Sequence, residues 1–312
     1  MMNHNIFNDK DPINPELLKN AEIAVRRGLV QSYYLHEELG EAGTEARQQN
    51  EFGDTAMAMD IFSEKVMLES LEQLPYRFLV RTEEHGELEV NEHLGGPRYL
   101  AVMDGLDGSS VYEKHRNEAG YGPMFAIFSN DNPTYDDYVV SGIMMLSSGE
   151  MLIAKKGEKL VSENVRTGEK SEPRAAQNDV LNGNAIVFAD QSKVDPSNSL
   201  YKFFTLNGQV ADTLHKHVNF VIPPRRTGST ASNIVDIATG EATLDIGATR
   251  KGNLEFASAY GILKAAGAVM ETEGGIDLGT KRFLEFGQDD NILVLAAANK
   301  DVAKDAWSIL AA

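Results

Sequence analysis

Two aspartates stand three residues apart in the segment MDGLDGSS, at Asp104 and Asp107, and a glycine and two serines follow them. Carboxylates at this spacing in one turn could hold a divalent cation, because hard cations prefer oxygen ligands. The unhindered backbone N–H groups of Gly108, Ser109 and Ser110, at the predicted start of a short helix, could hold an anion. The same residue types are also typical of a surface turn. Alone, this segment leaves both interpretations open.

Further acidic side chains lie at the ends of predicted elements. Asp60 is near the start of a predicted helix, Glu83 and Glu84 directly follow a predicted buried strand, and Glu255 opens a late helix. Asp104 also follows a predicted strand directly. Open α/β folds place their ligands at the carboxyl ends of strands, so this arrangement favours a ligand site with an acidic lining. A solvated helix face is the other interpretation of Asp60, which has Glu64 four residues later.

The elements alternate in a way that predicts the fold class. Helical spacing, proline near a first turn and glycine at a stop predict helices over 14–39, 55–74, 198–208, 229–240, 254–267 and 300–312. Short apolar runs bounded by turn residues predict strands over 77–80, 99–104, 122–129, 137–146, 150–157, 185–190, 218–222 and 291–299. We therefore predict a layered α/β (α+β) protein with two packed sub-domains. The polar stretch 163–184 is the candidate connection, which divides the chain into 1–165 and 166–312.

Composition narrows the functional classes. The net charge of −18 argues against a nucleic-acid polymer as partner, because such binding needs lysine and arginine. The sequence has no cysteine, which excludes disulfides and thiolate metal sites. It shows neither a signal peptide nor an apolar run of the roughly 18 residues that a membrane span needs. We predict a soluble, cytoplasmic protein that binds neither nucleic acid nor membrane.

The order of the acidic segments resembles a known family pattern. The segments GDTAMAMD, RTEEHGE, DGLDGSS, RRTGSTASNIVDIATGEATLD and LEFASAYGILKAAGAVM follow one another over roughly residues 50 to 275. In this order they resemble the inositol monophosphatase and fructose-1,6-bisphosphatase superfamily of Mg²⁺-dependent, lithium-sensitive sugar phosphatases. The resemblance implies an αβαβα sandwich and a phosphomonoesterase that acts on a small sugar or polyol phosphate. It also implies a homo-oligomer, a dimer or a tetramer.

The resemblance also implies roles for individual residues. The cations, Mg²⁺ in this family, would be held by Glu83, Asp104, the backbone carbonyl of Leu106, Asp107 and Glu255. Asp60 would orient the Ser109 hydroxyl so that the pair activates a water molecule, and Glu84 would support this catalytic group. The phosphate would rest on the N–H groups of Gly108, Ser109 and Ser110. Basic residues near the last metal ligand, Arg250 and Lys251, would contact the substrate.

Three departures from the family pattern leave the substrate open. Gly105 replaces a usual proline, which predicts a less rigid turn. Glu255 and the Ser109–Ser110 pair resemble fructose-bisphosphatases, whereas Val111 replaces their common asparagine. An inositol monophosphatase-like activity is the first expectation and a fructose-1,6-bisphosphatase-type activity is the alternative. A non-catalytic member that binds a metal or a sugar phosphate is a further alternative, which Gly105 keeps open.

Overall fold

The first helix begins and ends where the sequence predicts. In the computed structural model, which describes residues 13–49, 55–116, 119–178, 180–181, 185–189, 228–249, 253–288 and 292–310, helix α1 spans Pro15–Leu39. The Asn14 side chain accepts a hydrogen bond from the N–H of Glu16 at 2.9 Å and caps the first turn. Gly40 ends the helix with a φ of 54°, a conformation that favours glycine.

Helix α2 starts three residues later than predicted. It spans Ala58–Glu72, whereas Thr55–Met57 forms strand β2, so the prediction of a helix from residue 55 is wrong there. The reason is pairing with strand β1, Ala46–Gln49, which takes residues 55–57 into an antiparallel ladder. Strand and helix meet at the N–H of Met57, which donates to the Asp60 carboxylate at 2.7 Å. The remaining helices in the described ranges are α3 Ser109–His115, α4 Thr230–Thr239, α5 Leu254–Ala266 and α6 Lys300–Leu310.

The larger sheet has eight strands, and its centre is buried on both faces. Its order is β10-β9-β8-β7-β6-β5-β3-β4, antiparallel except for the parallel pair β3 and β5. Every residue of β6 and β7 is buried, as expected for strands covered on both sides. The strands are β3 Arg77–Thr82, β4 Gly86–Val90, β5 Arg98–Asp107, β6 Gly122–Phe128, β7 Tyr138–Met145, β8 Glu150–Lys155, β9 Val161–Asn164 and β10 Lys170–Ser171.

The smaller sheet belongs to the second half of the chain. Its order is β11-β12-β15-β13-β14, with β11 and β12 parallel and the other pairs antiparallel. Its described strands are β11 Val187–Ala189, β12 Leu244–Ala248, β13 Val269–Thr272, β14 Ile276–Asp277 and β15 Leu293–Ala297.

The elements form five layers. Helices α1 and α2 share one apolar core with the larger sheet, and α4 and α5 fill the space between the two sheets. Helix α6 covers the outer face of the smaller sheet, with Val302, Ala303 and Ala306 in that core. This is the predicted αβαβα sandwich, and the fold-class prediction is confirmed.

Several details bear on the predicted organisation. The larger sheet continues through β10 to Ser171, past the predicted division at residue 165, and that division stays a prediction. The predicted helix over 198–208 and strand over 218–222 lie outside the described residues. Within the described ranges, no helix combines the length and the apolar character that crossing a bilayer requires.

The Asn14 cap gives a test of how α1 is defined. We expect Asn14→Ala to lower the free energy of unfolding by about 1 kcal/mol, because the N–H of Glu16 loses its acceptor. Asn14→Asp keeps an acceptor and a favourable charge at the helix start, so it should unfold like the wild type. Urea denaturation measures both. Equal stability of the two variants would contradict this assignment of the cap.

Candidate functional site

The end of strand β5 forms a tight turn that buries two carboxylates. The pairing of β5 with β6 is irregular between Asp104 and Asp107, so the chain bends there. The N–H of Leu106 donates to Asp104 Oδ1 at 2.8 Å and closes the turn. Asp104 is 2% exposed and Asp107 is 9% exposed. The MDGLDGSS segment is therefore the buried end of β5 followed by the start of α3, not a surface loop.

Asp107 connects this turn to the second half of the chain. Its Oδ2 accepts hydrogen bonds from Ser229 Oγ at 2.6 Å and from the N–H of Ala231 at 2.7 Å, at the start of α4. A carboxylate at a helix N-terminus is favoured by the helix dipole. The next residue, Gly108, has a φ of 89°, and a Cβ there would lie 2.8 Å from Ser229 Cβ. Both the positive φ and the short distance to Ser229 therefore favour glycine at position 108.

Glu255 joins the two aspartates from helix α5. Asn253 precedes the helix with a left-handed φ of 58°, and its amide donates to the carbonyl of Phe286. That local geometry starts α5 beside the β5 turn. One carboxylate oxygen from each of Asp104, Asp107 and Glu255 lies within 4.8 Å of the other two. We call these three residues the acidic triad.

The carboxyl groups of the acidic triad and Glu83 lie so close together that, without a cation, they cannot all be ionised at neutral pH. Burial, followed by repulsion from Glu255 and Glu84, raises the pKa of Glu83 to about 9. Burial and the charges of Glu83 and Asp107 raise the pKa of Asp104 well above its ordinary value. Converging oxygen ligands with this unrelieved repulsion fit a hard divalent cation. Of the sequence-predicted ligands, the structure brings three into the triad and places Glu83 close enough to interact with Glu255.

Asp60 and Ser109 form a direct pair beside this site. Ser109 Oγ lies 2.9 Å from Asp60 Oδ1 and 2.9 Å from the carbonyl oxygen of Leu106. Burial raises the pKa of Asp60 to about 6, although the hydrogen bonds from Met57 and Ser109 oppose that rise. The carboxylate can therefore gain or lose a proton near neutral pH, which suits a general base.

Glu84 and the helix residue Glu64 complete the acidic region. Glu84 is 8% exposed, and its N–H donates to Glu64 Oε1 at 3.0 Å. Glu64 itself is fully buried, so Asp60 and Glu64 do not form a solvated helix face. Glu64 was missed as a functional residue. The available signal was that Asp60, Glu64, Met67 and Leu71 recur at the spacing of one buried helix face.

Gly105 is explained by close packing against α2. A Cβ at this position would lie 2.2 Å from the carbonyl oxygen of Asp60 and 3.0 Å from Glu64 Cγ. Any larger side chain, the proline ring included, would meet the helix backbone. The turn is held by this contact with α2, and the glycine removes none of the carboxylates.

The remaining predicted site residues differ in how far the structure describes them. Gly108 precedes α3, Ser109 and Ser110 open it, and Ser110 is exposed. Arg250 and Lys251 lie outside the described residues. An open groove lined by Glu41, Thr44 and residues 112–116 lies at the other end of α3. It contains no member of the acidic triad, so we locate the chemistry at the triad.

The contact at Gly105 gives a stability prediction. We expect Gly105→Ala to lower the free energy of unfolding by about 2 kcal/mol, because the new methyl group must push α2 away from the β5 turn. The exposed Gly95, whose Cβ would meet nothing within 4 Å, provides the control Gly95→Ala. Urea denaturation compares them, and equal stability of both variants would refute the close contact.

The raised pKa values predict how pH changes the stability of the ion-free protein. The pKa of Asp60 rises from 3.8 to about 6 and that of Glu83 from 4.5 to about 9. The folded state then binds more protons than the unfolded state, so stability falls as pH rises through these values. Urea unfolding in a chelator should show this decrease between pH 5 and 9, and saturating Mg²⁺ should reduce it.

A matched pair of variants distinguishes the effect of the buried site on the pH dependence of stability from the effect of exposed acidic residues. Glu83→Gln should flatten the decrease between pH 7 and 9. Glu69→Gln, on the outer side of α2 where the side chain is 49% exposed, should leave it unchanged. The same slope in wild type and Glu83→Gln would show that the buried site does not cause the pH dependence.

Comparisons with known proteins support the fold assignment. No family model matches the sequence, and no curated protein does. Among solved structures, the fructose-1,6-bisphosphatase of Leishmania major in holo form is 15% identical, with 97% of each chain covered and a TM-score of 0.69. An inositol monophosphatase from Zymomonas mobilis is 16% identical, with 97% of this chain and 100% of that chain covered and a TM-score of 0.62.

A third similar structure contains bound ligands. It is an IMPase/NADP phosphatase complexed with NADP and Ca²⁺, 14% identical, with 94% of this chain and 95% of that chain covered and a TM-score of 0.66. All three matches span nearly the whole of both chains. The chain therefore shares the fold of these three phosphatase structures, which is the fold that its ordered acidic segments predict.

Proposed function

We propose that this protein is a divalent-cation-dependent phosphomonoesterase that hydrolyses a small sugar or polyol phosphate. The observation that carries the proposal is the acidic triad beside the Asp60–Ser109 pair. A cation site and a proton acceptor of suitable pKa are the two parts that hydrolysis of a phosphate ester by water requires. The shared fold of sugar-phosphate phosphatases supports the same reaction class.

The proposed cation is Mg²⁺, held by the acidic triad, Glu83 and the carbonyl oxygen of Leu106. When bound, it supplies Lewis acidity that offsets the charge of the phosphate and lowers the pKa of water. A carbonyl oxygen has two lone pairs, so the Leu106 carbonyl oxygen can bind a cation whether or not Ser109 donates to it. The Ca²⁺ in the IMPase/NADP phosphatase structure supports a site for hard cations in this fold.

The protein side chains then move the proton. Ser109 Oγ lies 2.9 Å from Asp60 Oδ1 and 2.9 Å from the Leu106 carbonyl oxygen, and its one proton can be donated to Asp60. As the water oxygen forms its bond to phosphorus, the water would pass a proton to Ser109, and Ser109 would pass its own proton to Asp60. The P–O bond to the sugar or polyol breaks, and the leaving oxygen takes a proton from solvent. The pKa of about 6 lets Asp60 accept that proton and release it afterwards near neutral pH. Glu84, buried beside Glu83, would support the same group.

The substrate would be held by backbone and basic groups. We propose that the N–H groups of Gly108, Ser109 and Ser110 bind the phosphate. Gly108 precedes α3 in a left-handed conformation, and the first N–H groups of a helix have no acceptor within the helix. A backbone cradle would let a protein with a net charge of −18 bind an anion. Arg250 and Lys251 are the proposed contacts to the rest of the substrate.

A fructose-1,6-bisphosphatase-type activity is the second candidate. Glu255 and the Ser109–Ser110 pair favour it, because the resemblance associates these residue types with that branch. The non-catalytic alternative loses its main support, since Gly105 is required by packing against Asp60. Self-association into a dimer or tetramer, a cytoplasmic location and the exclusion of nucleic acid and membrane partners stay predictions.

The test is a phosphate-release assay. We expect Mg²⁺-dependent and lithium-inhibited hydrolysis of inositol 1-phosphate, fructose 1,6-bisphosphate or 3′-phosphoadenosine 5′-phosphate. Asp60→Asn should lower kcat about 10²- to 10⁴-fold with a smaller change in KM, because the variant cannot accept the proton. The wild-type kcat should fall at acidic pH as Asp60 becomes protonated, and the charge of bound Mg²⁺ should place that fall below the pKa of about 6 that Asp60 has without the cation.

Two comparisons make the assay decisive. Glu69→Gln changes one acidic residue on the outer side of the same helix and should retain full activity. Glu255→Gln should raise the Mg²⁺ concentration needed for half-maximal rate. Full activity of Asp60→Asn would contradict the proposed base, and failure of the wild type on every phosphate ester would end the proposal of an enzyme.

A further inference from the structure

Glu64 is a buried carboxylate that the proposed reaction does not use. It lies on α2 one turn after Asp60, and none of its surface is exposed. Burying an ionised carboxylate is costly unless hydrogen bonds compensate it. Hydrogen bonds from the surrounding residues are therefore needed to stabilise Glu64 in this position.

The hydrogen bonds of Glu64 all go to one turn. Its Oε1 accepts from the N–H of Glu83 at 2.9 Å and from the N–H of Glu84 at 3.0 Å. Its Oε2 lies 2.6 Å from Nδ1 of His85, whose side chain is 32% exposed and closes the turn toward solvent. One carboxylate thus binds three consecutive residues directly after strand β3. Hydrogen bonds to a charged acceptor are stronger than neutral ones, so the turn is tightly fixed.

The same face of α2 contacts the other acidic segments. One turn earlier, Asp60 holds Ser109 at 2.9 Å, and the backbone at Asp60 packs against Gly105. The Glu64 stem lies against Gly105 as well, at 3.0 Å from the position of a Cβ. The turn that carries Glu83 and the turn that carries the two triad aspartates are therefore set against one rigid helix.

We propose that Glu64 is a positioning residue that holds Glu83 and Glu84 in the geometry that binds the divalent cation. Without its carboxylate, the backbone after β3 loses the acceptors that fix it, and Glu83 is no longer directed toward the triad. The inference rests on the proposed function for the use of the cation. Its direct effect is on cation affinity, which is measured without any substrate.

Three substitutions at this position separate positioning from folding. Glu64→Gln keeps an oxygen that accepts from both N–H groups, and its NH₂ group can donate to His85. Glu64→Asp keeps the charge but withdraws the carboxylate by one methylene group. Glu64→Ala removes the acceptor. The control is Glu69→Ala on the outer side of the same helix.

The experiment is calorimetric titration of each folded variant with Mg²⁺ alone, with thermal unfolding in a chelator as a measure of folding. We expect Glu64→Ala and Glu64→Asp to weaken Mg²⁺ binding at least tenfold. Glu64→Gln should bind within threefold of the wild type, and Glu69→Ala should be unchanged. If Glu64→Ala does not fold, the comparison of Glu64→Asp with Glu64→Gln decides.

The contrary outcomes are distinct from those of the proposed function. A variant that is less stable but binds Mg²⁺ like the wild type would overturn the positioning role, as would equal loss in Glu64→Asp and Glu64→Gln. No Mg²⁺ binding by the wild type would overturn it too. If the wild type binds Mg²⁺ and hydrolyses no phosphate ester, the proposed function fails, and the affinities still decide the role of Glu64.

Discussion

Burying several carboxylates in one small region is the constraint on which the rest of the structure depends. Four of them accept a hydrogen bond from a backbone N–H group of a nearby or distant segment. Asp60 accepts from Met57, Asp104 from Leu106, and Asp107 from Ala231. Glu64 accepts from both Glu83 and Glu84. These donors offset part of the desolvation cost of the charged groups, because a hydrogen bond to the ionised form favours it.

The constraint also explains why the layers are arranged as they are. Strand β5 ends at the site from the larger sheet, α2 approaches it from one face, and α4 and α5 approach from the other face. Asp107 bonded to Ser229 and Ala231 makes the site a junction between the two halves of the chain. The long strands and helices act as supports that bring together residues as far apart in sequence as Asp60 and Glu255.

Much of this could be predicted from sequence, and the failures have physical causes. The Asn14-Pro15 start and the Gly40 stop of α1 are local signals, so both ends of that helix were correct. The start of α2 was wrong because strand pairing with residues 46–49 decides it, and the apolar periodicity of 55–57 does not show a partner strand. Strand β12 was not predicted. Its first residues lie in the segment RRTGSTASNIVDIATGEATLD, which was interpreted as a family motif and not as a strand.

For the site as well, some residues could be predicted from the sequence and others depended on tertiary packing. Asp60, Asp104, Asp107 and Glu255 could be selected from their order along the chain, and their roles stay predictions. Glu64 was left on a solvated face, because an acidic pair four residues apart fits both environments and the continuation of its face in Met67 and Leu71 was not used. The reason for glycine at position 105 could not be predicted from the sequence. It is the close contact with the carbonyl oxygen of Asp60, which only the tertiary packing creates.

That approach at Gly105 has a mechanical consequence. The carbonyl oxygen of Asp60 occupies the space where a Cβ of residue 105 would lie, so α2 and the β5 turn approach more closely than any residue with a side chain would allow. Helix α2 can therefore fluctuate away from the β5 turn but not further toward it. The distribution of distances between the Asp60 backbone and residue 105 should be one-sided, with a sharp lower limit at the contact and a tail toward longer distances. Substitutions elsewhere can lengthen that tail, but only a change of backbone can move the limit.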